Sequence, residues 1–179
     1  MLGAFYACSE IILGIVRRSG SADQCRDRHS LRILWLVICV SIAGSIIAAN
    51  SFRFASFRSR EIFIAGLILF AAGIVIRWYS IIHLGRFFTV DVSIAAGHRI
   101  IDTGPYRYVR HPSYSASLLS FLGFGISMNN WVALLVVFVP VTIAFLYRIH
   151  VEETMLSEAL GVDYVEYKKH TKRLVPGIY

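Results

Sequence analysis

Two short stretches of this chain combine residue types that can do chemistry. One is Gly104-Pro105-Tyr106-Arg107-Tyr108-Val109-Arg110-His111-Pro112-Ser113-Tyr114. Pro112 suits the first position of a helix, where its missing N–H costs nothing. A helix beginning there offers unsatisfied backbone donors and the positive end of its dipole. With Arg110 and His111 alongside, it can receive a carboxylate or another anion. The same residues also read as an interfacial Arg-His pair that touches lipid phosphates beside aromatic belt residues. The other stretch is Arg148 with Glu152 and Glu153. Positions 148 and 152 are four apart and share one helical face. They read as a helix-surface ion pair worth about 0.3–0.5 kcal/mol, or as the basic and acidic groups that a zwitterionic amino-acid ligand requires. No metal site is implied: the six histidines are scattered, and HExxH, CxxC, P-loop and GxGxxG patterns are absent. Glu10 is a carboxyl inside an apolar run, either packed against a polar partner or functional.

These residues must be positioned by apolar elements. Of the 179 residues, 56% are hydrophobic and 16% charged, and the mean hydropathy is +0.63. Soluble domains run at about 45–50% apolar and about 25% charged. The balance excludes a disordered chain, a disulfide scaffold and a collagen-like rod, and leaves a small integral membrane protein. Five apolar segments cover residues 2–16, 33–49, 62–84, 114–128 and 131–147. A span needs about 20 residues to cross roughly 30 Å of hydrocarbon, so the first and fourth depend on flanking residues. The expected fold is all-α, a single membrane domain over 1–179 with about five transmembrane helices. Arg77, Trp78, Tyr79 and His83 read as an interfacial belt at the end of the third segment. Gly66, Gly73, Gly123 and Gly125 suit close helix contacts, and Pro140 a kink.

The formal charge of +7 comes from 15 Arg and 3 Lys against 11 acidic residues. Most of the basic residues lie in the gaps between apolar runs, which argues for membrane topology and against a nucleic-acid partner. Residues 17–32, 85–113 and 148–179 hold fourteen of them, whereas 50–61 hold Arg53, Arg58 and Arg60. The bias puts the N-terminus outside and the C-terminus in the cytoplasm. The first segment has its basic residues, Arg17 and Arg18, after the apolar run, and so reads as a retained helix, not a signal peptide. Cys8, Cys25 and Cys39 have no metal-type spacing and no even pairing. The expected organisation is three membrane helices over 1–84, a cytoplasmic loop over 85–113, a membrane hairpin over 114–149 and cytoplasmic helices over 150–179. Within the last part, Glu152 to Leu160 is helical, Gly161 a cap, and Asp163 to His170 a second short helix. A long ordered loop is usually functional, and here two such pieces share one face.

His98…Gly104-Pro105-Tyr106…Arg110-His111-Pro112-Ser113-Tyr114 and Arg148…Glu152-Glu153…Leu156…Gly161…Tyr164…Glu166-Tyr167-Lys168-Lys169 together resemble the isoprenylcysteine carboxyl methyltransferase family. These are integral membrane enzymes related to phospholipid methyltransferases. The resemblance covers residues 85–176; the N-terminal half matches only as apolar helices. It implies S-adenosylmethionine as cofactor, held by His98, Arg99, Ile100, Ile101, Tyr106, His111, Pro112, Ser113, Tyr114 and Glu152. It also implies that Arg148 binds the substrate carboxylate, so that Arg148 and Glu152 carry the reaction. Asp91 stands where some members have a glutamine contact. The implied acceptor is lipophilic, entering from the bilayer among membrane lipids, with a prenylated cysteine carboxylate first. A phospholipid amine, a small lipophilic thiol, or a non-enzymatic role in transport or assembly are the alternatives.

Overall fold

The computed structural model describes residues 25–85 and 100–179. The first apolar segment with Glu10, and the loop positions Asp91, His98 and Arg99, lie outside the described residues. Five α-helices are present among those described: α1 (Cys25–Ser51), α2 (Arg60–Leu84), α3 (Pro112–Ser127), α4 (Trp131–Leu160) and α5 (Val162–His170). Single 3-10 turns occur at Arg53–Ala55 and Gly104–Arg107. No strand occurs among the described residues, only two isolated bridges.

Local chemistry sets where the helices start and stop. The Ser59 hydroxyl oxygen accepts from the Ile62 N–H at 3.2 Å and caps α2. The Asn130 side chain accepts from the Ala133 N–H and caps α4, which supplies one of the donor pairings a helix start lacks. Its amide also donates to the Phe52 carbonyl at 2.8 Å, tying the α3–α4 turn to the α1–α2 connection. Pro112 opens α3, and Gly161, at φ 57°, closes α4. The apolar run 131–147 and the helical pattern after Glu152 form one continuous helix of 30 residues, because Arg148 to Glu153 contains no breaker. Arg148, Glu152 and Glu153 are therefore carried on the same rigid element.

The helices pack in the order α1, α4, α3, α2. Leu34 and Ile38 of α1, Phe121 of α3, and Val137, Val141, Ala144 and Phe145 of α4 form the core. The α2–α3 pair is closest: a side chain at Gly73 would collide with Ser120 and the Ala116 carbonyl, and one at Gly123 with the Phe70 backbone. This is the close backbone approach that small residues permit between membrane helices.

Three helices among the described residues are long and apolar enough to cross a membrane: His29–Ser51, Arg60–Leu84 and Trp131–Leu160. Their outward faces expose Leu36, Ile47, Ile68, Val75, Ile82 and Ile143, more apolar surface than a water-facing protein leaves bare. With 16 residues, α3 spans only about 24 Å at 1.5 Å per residue. Arg77 departs from its expected place in an interfacial belt: it is buried and donates to the Ser113 carbonyl at 3.2 Å and the Ser117 hydroxyl at 2.8 Å on α3. The reason is its register. Gly66, Phe70, Gly73, Ile74, Arg77, Ser80 and Ile81 are the buried stripe of α2, spaced by three and four, and Arg77 falls on that stripe. Tyr79 points outward, as a belt residue would.

Candidate functional site

The two stretches with chemical potential meet at one end of the bundle, where α3 begins and α4 ends. His111 is the N-cap of α3, and its carbonyl accepts from the N–H groups of both Tyr114 and Ser115 at 3.0 Å. Two donors at the helix start are thus already used. The His111 ring is buried, and Nε2 donates to Oε1 of Glu153 at 3.2 Å. Arg110 Nε donates to the same oxygen at 2.9 Å. Arg173, from the segment after α5, donates Nε and Nη2 to the other oxygen at 3.2 and 2.8 Å. Glu153 has a side chain only 4% exposed, so it is a buried carboxylate whose charge is met by three cationic or donor groups. It is the polar hub of this end of the molecule.

Its neighbour Glu152 faces a different environment. Among the described residues its side chain takes one hydrogen bond, from the Tyr114 hydroxyl to Oε2 at 2.8 Å. The residue is half-buried. The Tyr114 ring stacks on His111 at 5.6 Å and lies 5.4 Å from Phe145, so the phenol that orients Glu152 is itself held by α3 and α4. Arg148, one turn earlier, is 1% exposed and donates from Nη1 to the Ser30 hydroxyl of α1 at 2.6 Å. Arg148 and Glu152 do share a helical face, and Tyr114 lies between them, under the influence of both charges.

Tyr106, in the 3-10 turn, forms the other wall. It is buried, stacks against His83 with ring centroids 6.3 Å apart, and donates to the Ser80 carbonyl at 3.3 Å. His83 bonds the Thr103 hydroxyl at 3.0 Å. Gly104, at φ 57°, lies against the His83 ring where a side chain would collide, so glycine is required there on both counts. Ile100 and Ile101 are half-buried, and Pro112 and Ser113 buried, the Ser113 carbonyl being held by Arg77. His98 and Arg99 lie outside the described residues.

The segment after α5 completes the end. The Arg110 N–H donates to the Lys172 carbonyl at 2.8 Å, the His111 N–H to the Arg173 carbonyl at 3.2 Å, and the Lys172 N–H to the Tyr108 carbonyl at 3.2 Å. On α5, the Tyr167 hydroxyl donates to the Tyr106 carbonyl at 2.6 Å. Burial is the main reason that the phenols of Tyr106, Tyr164 and Tyr167 are all pushed well above the ordinary tyrosine value. The negative charge of Glu152 adds to the effect on Tyr106, and those of Glu153 and Glu152 add to the effect on Tyr164.

Three residues of this site escaped the sequence pattern: Glu153 as hub, Arg173 as its partner, and Arg77 as the clamp on Ser113. The spacing of Arg77 within the buried stripe could have found it. Nothing in the spacing distinguishes Glu153 from Glu152. Among the described residues, no group of three or more His, Cys, Asp or Glu could hold a metal ion.

The family model described as phospholipid methyltransferase matches residues 62–163. The chain belongs to that family. It is similar to protein-S-isoprenylcysteine O-methyltransferase A of Arabidopsis thaliana, with 35% identity over 113 residues, covering 62% of this chain and 57% of the relative. The enzyme of the same type from Schizosaccharomyces pombe is 28% identical over 152 residues, covering 80% of this chain and 64% of the relative. Among solved structures, the eukaryotic intramembrane Ras methyltransferase, an isoprenylcysteine carboxyl methyltransferase, shares the fold. The TM-score is 0.67 and the identity 24%, over 80% of this chain and 52% of that one. The chain thus spans less than two thirds of the length of each of these proteins. The matches bear out the family resemblance and the reading as a helical membrane protein.

Proposed function

We propose that this protein transfers a methyl group from S-adenosylmethionine to a lipophilic acceptor, first among them the carboxylate of a prenylated cysteine. The observation that carries the reading is the half-buried Glu152 carboxylate, oriented by Tyr114 and left with one oxygen open among the described residues. It sits one helical turn from a buried arginine and beside aromatic walls. The names of the relatives point to the same class of reaction.

The residues present fit such a donor: an open carboxylate oxygen suits an ammonium, and aromatic faces suit an adenine ring or a cation. When bound, S-adenosylmethionine supplies a methyl group already activated on a sulfonium, so no nucleophile is required of the protein. In this reading Glu152 binds the ammonium of the amino-acid end. Tyr106 and Tyr114 wall the site, with Ile100, Ile101, Pro112 and Ser113 alongside and with His98 and Arg99 from the preceding loop. His111 supports the site through Glu153, and the start of α3 helps to hold the carboxylate end. Arg148 orients the acceptor carboxylate with its planar fork of donors; its contact to Ser30 of α1 supports an approach of the acceptor between α1 and α4, from the bilayer. Enclosure by the helices keeps water from the reacting groups. The same reading has five spans, the N-terminus outside, and the cofactor side in the cytoplasm.

Calorimetric titration of S-adenosylhomocysteine into the detergent-purified protein tests the donor site. Micromolar binding by the wild type, lost in Glu152→Ala and weakened in His111→Ala, is the expected result; no binding by a folded wild type overturns the proposal. For the acceptor, Arg148→Lys is expected to lower methyl transfer to a prenylated cysteine at least tenfold while leaving S-adenosylhomocysteine affinity intact, because an ammonium cannot copy the bidentate fork (a factor of ten corresponding to about 1.4 kcal/mol). Unchanged turnover removes Arg148 from the acceptor site. The family's description favours one second reading, a phospholipid amine as acceptor, which a transfer assay comparing both acceptors decides.

A further inference from the structure

The end of the bundle away from the candidate site carries a patch that methyl transfer does not use. Residues 50–61 join two helices long and apolar enough to cross a membrane, His29–Ser51 and Arg60–Leu84, so the connection between them lies at the depth of the lipid headgroups. It presents Phe52, Arg53, Phe54, Arg58 and Arg60, all exposed. Phe54 is the most exposed of the large hydrophobic residues described, and its ring meets that of Phe52 edge-on at 5.9 Å. Beside them Phe57 packs edge-on against the exposed Trp131 ring at 4.4 Å.

The patch is tied in place by the α3–α4 turn. The Asn130 amide donates to the Phe52 carbonyl at 2.8 Å, the Phe57 N–H to the Asn129 carbonyl at 3.0 Å, and the Asn129 amide to the Ser59 carbonyl at 3.2 Å. Little backbone ordering is then left for a binding partner to impose. Within residues 50–61 and 127–131, three arginines stand against one carboxylate, Glu61, and that carboxylate accepts from the Ser59 hydroxyl at 2.7 Å. Among the described residues no ion pair engages Arg53, Arg58 or Arg60. The surface is also continuous with the lipid-facing flanks of the two spans, since Ile46 and Ile47 of α1 and Phe63 and Ile64 of α2 are exposed. Guanidinium forks match phosphate oxygens, aromatic rings favour the headgroup level, and a surplus of cations favours headgroups of net negative charge.

We propose that this end of the bundle is a docking surface for anionic phospholipids, with Arg53, Arg58 and Arg60 holding headgroup phosphates and Phe52 and Phe54 lying among the headgroups. The inference is independent of the methyl-transfer reading and of which side of the membrane this end faces.

The test measures the thermal midpoint of the full chain in a neutral detergent, with added phosphatidylglycerol or with phosphatidylcholine of the same acyl chains. A lipid that binds the folded state raises the midpoint, and phosphatidylglycerol is expected to raise it more than phosphatidylcholine. In Arg53→Gln/Arg58→Gln/Arg60→Gln that excess is expected to be at least halved. In Lys168→Gln/Lys169→Gln/Lys172→Gln, at the other end of the bundle, it is expected to persist. If the arginine variant fails to fold, Phe54→Ser, at an exposed position outside the core, is read in its place with the same expectation. No excess in the wild type, an excess unchanged in the arginine variant, or an equal loss in the lysine variant overturns the proposal. Inorganic phosphate that reproduces the whole excess overturns it as well, because the surface would then serve a free anion and not a lipid.

Discussion

At the scale of single residues, the adjacent Glu152 and Glu153 divide two tasks. Glu153 is consumed by structure: every direction around its carboxylate is filled by Arg110, His111 or Arg173. Replacing one member of a buried ion pair leaves an uncompensated charge, which typically costs about 3–5 kcal/mol. Glu153→Gln is accordingly expected to lower stability by roughly 3 kcal/mol, measured as a drop in thermal midpoint in detergent. Arg173→Gln is expected to cost less, about 1 kcal/mol, since the Arg173 side chain is 28% exposed and reaches solvent. A reversed order would show that the hub is not what joins the three segments. The phenols give a pH dependence with a definite sign. Tyr106, Tyr164 and Tyr167 ionise far less readily in the fold than in the unfolded chain, where the value is about 10. Above about pH 10 the unfolded state loses protons that the folded state keeps, so stability is present below that pH and falls as pH rises through it. Thermal midpoints between neutral and strongly alkaline pH should fall less steeply in Tyr167→Phe than in the wild type; identical slopes would contradict it.

At the scale of elements, two glycines separate packing from conformation. At Gly73 a side chain meets Ser120 and the backbone of α3, so Gly73→Val must push two helices apart, at an expected cost of about 3 kcal/mol or more. At Gly161 a side chain meets nothing within 4 Å, but φ is 57° and ψ −130°; Gly161→Ala should cost about 1–3 kcal/mol, from the backbone alone. Chemical denaturation of Gly73→Val checks the packing cost, and an unchanged stability would refute the close α2–α3 approach. Much of this level is legible in the sequence. Apolar runs mark α1, α2, α3 and α4, Pro112 marks the start of α3, and Gly161 marks the end of α4. The spacing of Arg148 and Glu152 places both on one face. Tertiary pairing is less legible. Arg77 finds Ser113 and Ser117 36 and 40 residues away, and Glu153 takes Arg110 and Arg173, 43 and 20 residues away. Local pattern says which face of a helix is buried, but not which neighbour supplies the partner. The loop carrying His98 and Arg99 lies outside the described residues, so that part of the expected site is placed by resemblance alone.

At the scale of the whole molecule, polar chemistry is collected at one end of an apolar bundle. The opposite end carries the Asn129–Asn130 turn, whose side chains bond Ser59 and Phe52. The charge bias across the gaps predicts that these ends face opposite sides of the membrane. In a variant with serine at Cys8, Cys25 and Cys39, a cysteine at Phe54 should react with an impermeant thiol reagent added to intact cells. One at Val162 should react only after permeabilisation. Both positions are exposed, at 85% and 82%, so burial cannot explain a difference, and the reverse pattern would invert the topology. The pairing of 172–173 with 108–111 also has a temporal side. A ribosome delivers Arg110, His111 and Glu153 before it delivers Arg173, so a nascent chain stalled just short of that residue already holds every helix from α1 to α5 but not the last counter-charge on Glu153. The packing around Glu153 should then tighten only at the end of synthesis, as the last clasp is threaded into place, and a nick between α5 and Arg173 should loosen it again.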